Sequence, residues 1–169
     1  MSADPERRGR AVAALYFEHA SALFDMMSAS EDWPIEPGPA ASRARLEWDA
    51  FALYACVRGL VAGGGMNRET AAALDAFHEA VFDAPRPSGA PPLPERALIS
   101  ERYREYGAIG QAGGKSGSAT VTQRLGDAAA RHMLGETAEE AALAPLGEQV
   151  GGLHETLAEI AAEAVRDQL

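Results

Sequence analysis

Seven apolar residues near the C-terminus fall on one repeat: Leu143, Leu146, Val150, Leu153, Leu157, Ile160 and Ala164 are spaced 3, 4, 3, 4, 3 and 4 apart. Only a helix gathers such positions on one stripe, because a strand turns successive residues to opposite faces. A seam held over three heptads also suits contact with a second helix. The spacing predicts a helix over about 145–168. Gly147 and Gly151, one turn apart, leave room for another helix to come close. Pro145 falls within the pattern and predicts a kink or a fresh helix start. Glu155, Glu159 and Glu163 mark the outer face at four-residue spacing, where like charges repel and favour solvent or an arginine partner.

The same period recurs upstream. Alanine, 36 of 169 residues, loses no side-chain entropy in a helix, so composition and periodicity agree. Over 4–28, Val12, Tyr16, His19, Leu23 and Met26 form a stripe that Leu15, Ala20, Phe24 and Met27 widen. Arg7, Arg8 and Arg10 read as an exposed first turn of that helix. Pro34, Pro37, Gly38 and Pro39 make 30–41 a loop, which Trp33 and Ile35 pin down. Ser42 is placed to cap a second helix to 62, apolar almost all round and therefore central, and Gly63, Gly64 and Gly65 end it. Asn67 caps a third helix over 68–82 that buries Ala71, Leu74, Phe77 and Val81.

Five prolines in 84–94 exclude a helix there. A fourth helix follows over 95–111, with an apolar line through Leu98 or Ile99, Tyr103 or Arg102, Tyr106 and Ile109. Four glycines make 110–117 a loop, and Ser118 or Thr120 starts a fifth helix to 134 with the weakest apolar face. Gly135 closes it, and Thr137 and Glu140 form a capping box for the last helix. The expectation is an all-α, single-domain helical bundle of five to six helices over 1–169, with Pro-rich and Gly-rich linkers.

Charge and cysteine usage narrow the function. A net charge of −10 and a pI of about 4.8 oppose sequence-independent nucleic-acid binding and docking on an anionic membrane. Cys56 is the sole cysteine, so no intrachain disulfide and no cysteine-based zinc site forms. Glu18, His19 and Asp25 interrupt the N-terminal apolar stretch, which argues against a signal peptide. The longest apolar run, 50–62, carries Arg58 and is too short to span a bilayer. The expectation is a soluble cytoplasmic protein, and the preference for Arg over Lys (14 of 15) matches a GC-rich bacterial genome.

Catalytic templates fail on spacing. Gly113-Gly114-Lys115-Ser116-Gly117 resembles the end of a phosphate-binding loop, but Ile109 stands where the first glycine is required and no strand precedes it. What survives is a glycine-rich approach to helix five whose N–H groups suit a small anion. His78-Glu79 and His154-Glu155 lack the second zinc-binding histidine, since Phe82 and Ala158 occupy its place. Asp75 and His78 form the one carboxylate–histidine pair of di-metal bundle spacing, where two are needed. No metal and no cofactor is expected.

Two clusters remain. Arg58 interrupts the most apolar helix one turn after Tyr54, so its guanidinium pairs with a carboxylate, reaches solvent or faces a pocket. Glu101, Arg102, Arg104 and Glu105 alternate in sign beside Tyr103 and Tyr106, the pattern of a solvated, salt-bridged face. The first functional expectation is a non-catalytic helical protein working through protein contacts, most simply a homodimer through its C-terminal helix. The alternative is a binder of an acidic small molecule, in a cleft lined by Arg58, Tyr54, Tyr103 and Tyr106 with His19 or Trp48. An enzyme using His19 or His78 ranks last, because no nucleophile and base are paired.

Overall fold

The computed structural model describes residues 4–112, 118–135 and 139–169. Among them it holds six helices and no strand: α1 Pro5–Ser28, α2 Pro39–Gly64, α3 Arg68–Asp83, α4 Arg96–Ala112, α5 Ser118–Leu134 and α6 Glu140–Arg166. No described helix is long and apolar enough to cross a membrane. The all-α expectation holds. The glycine-rich stretch around Lys115 and the capping residue Thr137 lie outside the described residues.

Helix ends follow the local chemistry. Asp4 accepts from the Glu6 amide (3.0 Å), and Pro5 takes the first helical position, where its missing N–H costs nothing. α2 begins three residues earlier than Ser42, at Pro39. The Ser42 amide already donates to the Gly38 carbonyl (3.1 Å), so Gly38, at φ 112°, leads into the helix and Ser42 sits inside its first turn. Asn67 joins two helices: its amide nitrogen donates to the Gly64 carbonyl and its oxygen accepts from the Thr70 amide, both at 2.8 Å. Gly65, at φ 81°, adopts the left-handed turn expected after α2. α6 runs through Pro145 without a break.

Tertiary contacts group the chain into two compact units, and α1, α2 and α6 contribute to both. The first comprises Met1–Ala22, Ala52–Pro91 and Thr156–Leu169. Within it α1 lies on α3 at Gly9, whose Cα faces the Ala73 carbonyl and the Ala76 side chain. α2 lies on α6 at Gly59 and Gly63. A Cβ on Gly59 would stand 2.5 Å from the Ala161 Cβ and 2.6 Å from the Ala158 carbonyl; one on Gly63 would stand 2.7 Å from the Ala162 carbonyl. The second unit comprises Leu23–Phe51 and Pro92–Glu155. There α5 meets α6 glycine to glycine, Gly126 on Gly147 and Gly151, the close approach the sequence anticipates.

Three faces differ from the sequence reading. On α1, Arg8 and Gly9 are buried with Val12, Ala13 and Tyr16, whereas Met26 is exposed. Of the three arginines Arg7 and Arg10 are exposed and Arg8 is not, because contact with α3 at Gly9 draws Arg8 inward to Glu69 (3.1 Å). α3 buries Thr70, Ala73, Ala76, Phe77 and Val81, leaving Ala71 exposed, since the small residues follow Gly9. On α6 the buried set is Leu143, Leu146, Gly147, Val150, Gly151, His154, Leu157, Ala158, Ala161, Ala162 and Val165. Leu153, Ile160 and Ala164 of the heptad seam are only half-buried.

Glycine substitutions with opposite signs test these crossings. Gly59→Ala is expected to cost about 1–3 kcal/mol by overpacking. Gly152→Ala, with nothing within 4 Å of its Cβ, should gain about 0.5–1 kcal/mol of helix propensity. Urea midpoints at constant m-value measure both.

Candidate functional site

The second unit holds a buried polar network. In α4 the inward line is Ile99, Arg102 and Tyr106, spaced 3 and 4 apart, so helical period alone carries Arg102 into the interior. Glu47 of α2 is buried opposite it. Arg102 donates from Nε to Glu47 Oε2 at 2.8 Å and from Nη2 to Glu47 Oε1 at 2.9 Å, a two-pronged pair. Hydrogen bonding to Glu47 holds the guanidinium pKa above its ordinary range. Arg102 also reaches Glu101 (3.3 Å) and Glu105 (3.9 Å), and His132 of α5 donates from Nε2 to Glu105 (2.7 Å). Three helices are thus joined through one arginine and one histidine.

Aromatic rings pack beside this network. Phe51 stacks on His154 (centroids 3.9 Å apart) and meets Tyr106 at 5.0 Å and Trp48 at 6.5 Å. His154, fully buried on α6, donates from Nδ1 to the Phe51 carbonyl (3.0 Å), the helix-contact role its place beside the seam suggests. Burial, with Glu47 and Glu105 adding, pushes the Tyr106 phenol well above its usual range against the pull of Arg102. Burial likewise raises the Cys56 thiol on α2.

The six residues expected to line a cleft divide between the units. Trp48, Tyr103 and Tyr106 belong to the second, where Trp48 and Tyr106 are core residues meeting through Phe51 and Tyr103 is half-buried. His19, Tyr54 and Arg58 belong to the first. Tyr54 and Arg58 are both half-buried; burial raises the Tyr54 phenol and the nearby Arg58 charge lowers it. His19 is about one-third exposed and lies 3.8 Å from Glu18. Sequence reasoning kept Arg102 only as the alternative to Tyr103 on the inward line and did not pair it with Glu47, because it took the alternating charges of 101–106 for an exposed face. The spacing of Ile99, Arg102 and Tyr106 was the available signal.

Among the described residues the surface carries a groove of about 420 Å³ between α1 and α3. Ala72, Ala76 and Ala80 form one helical stripe in it, and the exposed Asp75, Glu79 and Asp83 form the next. Glu6 and Arg10 line the α1 side, where Arg10 pairs with Glu6 (3.4 Å) and Asp4 (3.7 Å). No group of three or more His, Cys, Asp or Glu side chains among the described residues is arranged to hold a metal ion.

Two measurements probe the buried network. Glu47→Gln and Arg102→Met each strand a buried charge or donor and should cost about 3–5 kcal/mol, whereas Glu47→Leu with Arg102→Met should recover most of the loss in chemical unfolding. Alkaline pH provides the second. Folded Tyr106 and Cys56 stay protonated while the unfolded chain ionises them from about pH 10 and 8.5. Stability is therefore full below those values and falls as pH rises, by about 1.4 kcal/mol per pH unit for each group. Tyr106→Phe should flatten the part of the decline that begins near pH 10.

Comparison with protein-family models, curated proteins and solved structures finds no match in any of the three.

Proposed function

We propose that this chain is a non-catalytic helical protein that acts through protein–protein contacts. The observation carrying the reading is the closed pairing of Arg102 with Glu47, which joins α2 to α4. His154 likewise donates an Nδ1–H hydrogen bond to the Phe51 carbonyl of α2. These polar groups serve the packing of helices against one another, and helix faces rich in carboxylates form the surface a partner meets. Self-association through α6 draws support from Leu153, Ile160 and Ala164, the seam residues that are only half-buried. Burial of Leu143, Leu146, Val150 and Leu157 within the chain weighs against it. An acidic ligand at Arg58 is the second reading, supported by Tyr54 one turn away with both side chains half-buried.

Photoreactive residues placed singly at Glu79 on α3, Glu159 on α6 and Met26 on α1, in the cells that make the protein, test the contact reading. A discrete adduct from at least one position is expected. A mass near twice 17.8 kDa identifies a second copy, and another mass a different protein. No adduct from any position, with a strict monomer in sedimentation at micromolar concentration, overturns the proposal.

A further inference from the structure

Side chains from three helices converge on Gly64, the last residue of α2. A Cβ there would stand 2.7 Å from the Thr70 hydroxyl of α3, 3.5 Å from Arg8 Nη1 of α1 and 3.7 Å from Val165 Cγ1 of α6. All four residues belong to the first unit. Arg8 is 1% exposed and Thr70 3%, so a full positive charge and a hydroxyl lie beneath the turn that leads from α2 into α3.

The fold answers these groups only in part. Arg8 donates from Nη2 to Glu69 Oε2 at 3.1 Å. Among the described residues, Arg8 Nε and the Thr70 hydroxyl are buried with no hydrogen-bond partner. Groups left in that state are costly, and native proteins keep few of them without a ligand, ion or water to meet them. α3 adds its own field, since a helix N-terminus carries partial positive charge. Asn67 takes the Thr70 and Ala71 amides, but the Arg68 amide, at the first helical position, has no acceptor within the helix. Glu69 reaches Arg8 from outside: its side chain is about half exposed and is free to turn out to solvent.

We infer that the start of α3 binds a phosphate group, which takes the place of the Glu69 carboxylate against Arg8. A carboxylate already stands there and leaves donors unmet, so the ligand that displaces it must bring more acceptor oxygens and more charge. A phosphate group brings both. It meets Arg8 Nε and Nη2, the Thr70 hydroxyl and the Arg68 amide together, on a helix end whose dipole favours negative charge. Met66, 89% exposed in the same turn, offers an apolar contact to the body of a phosphate monoester. Such a site adds a ligand to the contact reading and does not depend on it.

The test titrates the isotope-labelled full chain with inorganic phosphate at constant ionic strength and follows it by NMR, with acetate as the control anion. Saturable shifts are expected at the Arg68, Glu69 and Thr70 amides and at Arg8 Nε, and acetate should not produce them. Glu69→Gln removes the competing carboxylate and should tighten phosphate binding about tenfold. Phosphate should also raise the thermal midpoint of that variant more than the parent's. Thr70→Val should weaken binding by about threefold to tenfold. Its midpoint without phosphate should equal or exceed the parent's, because an unpartnered hydroxyl has been removed. Phenyl phosphate binding more tightly than inorganic phosphate assigns a monoester, and equal binding assigns the free ion. Any one of three results overturns the inference: no saturable shift at the α3 amides, an equal response to acetate, or phosphate binding that Glu69→Gln fails to tighten and Thr70→Val fails to weaken.

Discussion

Helices in this protein touch backbone to backbone, and the rest of the packing depends on that. Gly9 on Ala73, Gly59 and Gly63 on Ala158, Ala161 and Ala162, and Gly126 on Gly147 and Gly151 are contacts with almost no side-chain volume between the partners. Ordinary helix pairs stand 8–10 Å apart, separated by their side chains. Here small residues remove that spacer, which is why a chain with 36 alanines and few aromatics still packs closely. Such contacts also lock register. A shift of one residue at Gly59 would bring Arg58 or Leu60 against α6, where the existing fit leaves no space for a single added carbon.

Locked register decides where the polar groups go. Once α2 and α4 are placed, Glu47 and Arg102 face each other in the interior, and the cost of desolvating either charge is offset by two short hydrogen bonds. A buried pair of this kind is weak evidence for stability, because apolar residues of similar volume often do as well. Its stronger effect is on alternatives: any slip between α2 and α4 leaves a buried charge unpaired. The His154 bond to the Phe51 carbonyl acts in the same sense between α6 and α2.

The helices were legible in the sequence because each rests on many residues of regular period, with proline and glycine clusters between them. Asn67 and Gly65 were legible as caps, since their chemistry is local. Ser42 misled because a good capping residue also sits comfortably inside a first turn, and the Gly38–Pro39 start three residues earlier competes with it. Faces were harder to read. On α3 the choice between Ala71 and Ala73 turns on where Gly9 presses, a contact 64 residues distant in the chain. The arginine that mattered for packing was hidden by its neighbours: Arg102 sits in a run of alternating charge, whereas Arg58, in the most apolar helix, drew attention and is half-buried.

The heptad seam shows why spacing alone could not assign a partner. Strict 3–4 spacing drifts around a straight helix by about 20° per heptad, so one pattern serves an external coiled coil or an internal face of changing orientation. In α6 the buried face includes Gly147, Gly151, His154, Ala158 and Ala162 beside the seam, and Leu153 and Ile160 rotate partly out. The acidic ladders differ for the same reason. Glu155 of α6 is half-buried and accepts from Thr122 (3.1 Å), and Arg166 complements the dipole at the end of that helix. The α3 ladder ends in Asp83 with no basic residue in its last turn. Equal spacing therefore has unequal energetic consequences. On α6 the fold answers part of the charge, and on α3 charge is concentrated where the helix itself is least able to accommodate it.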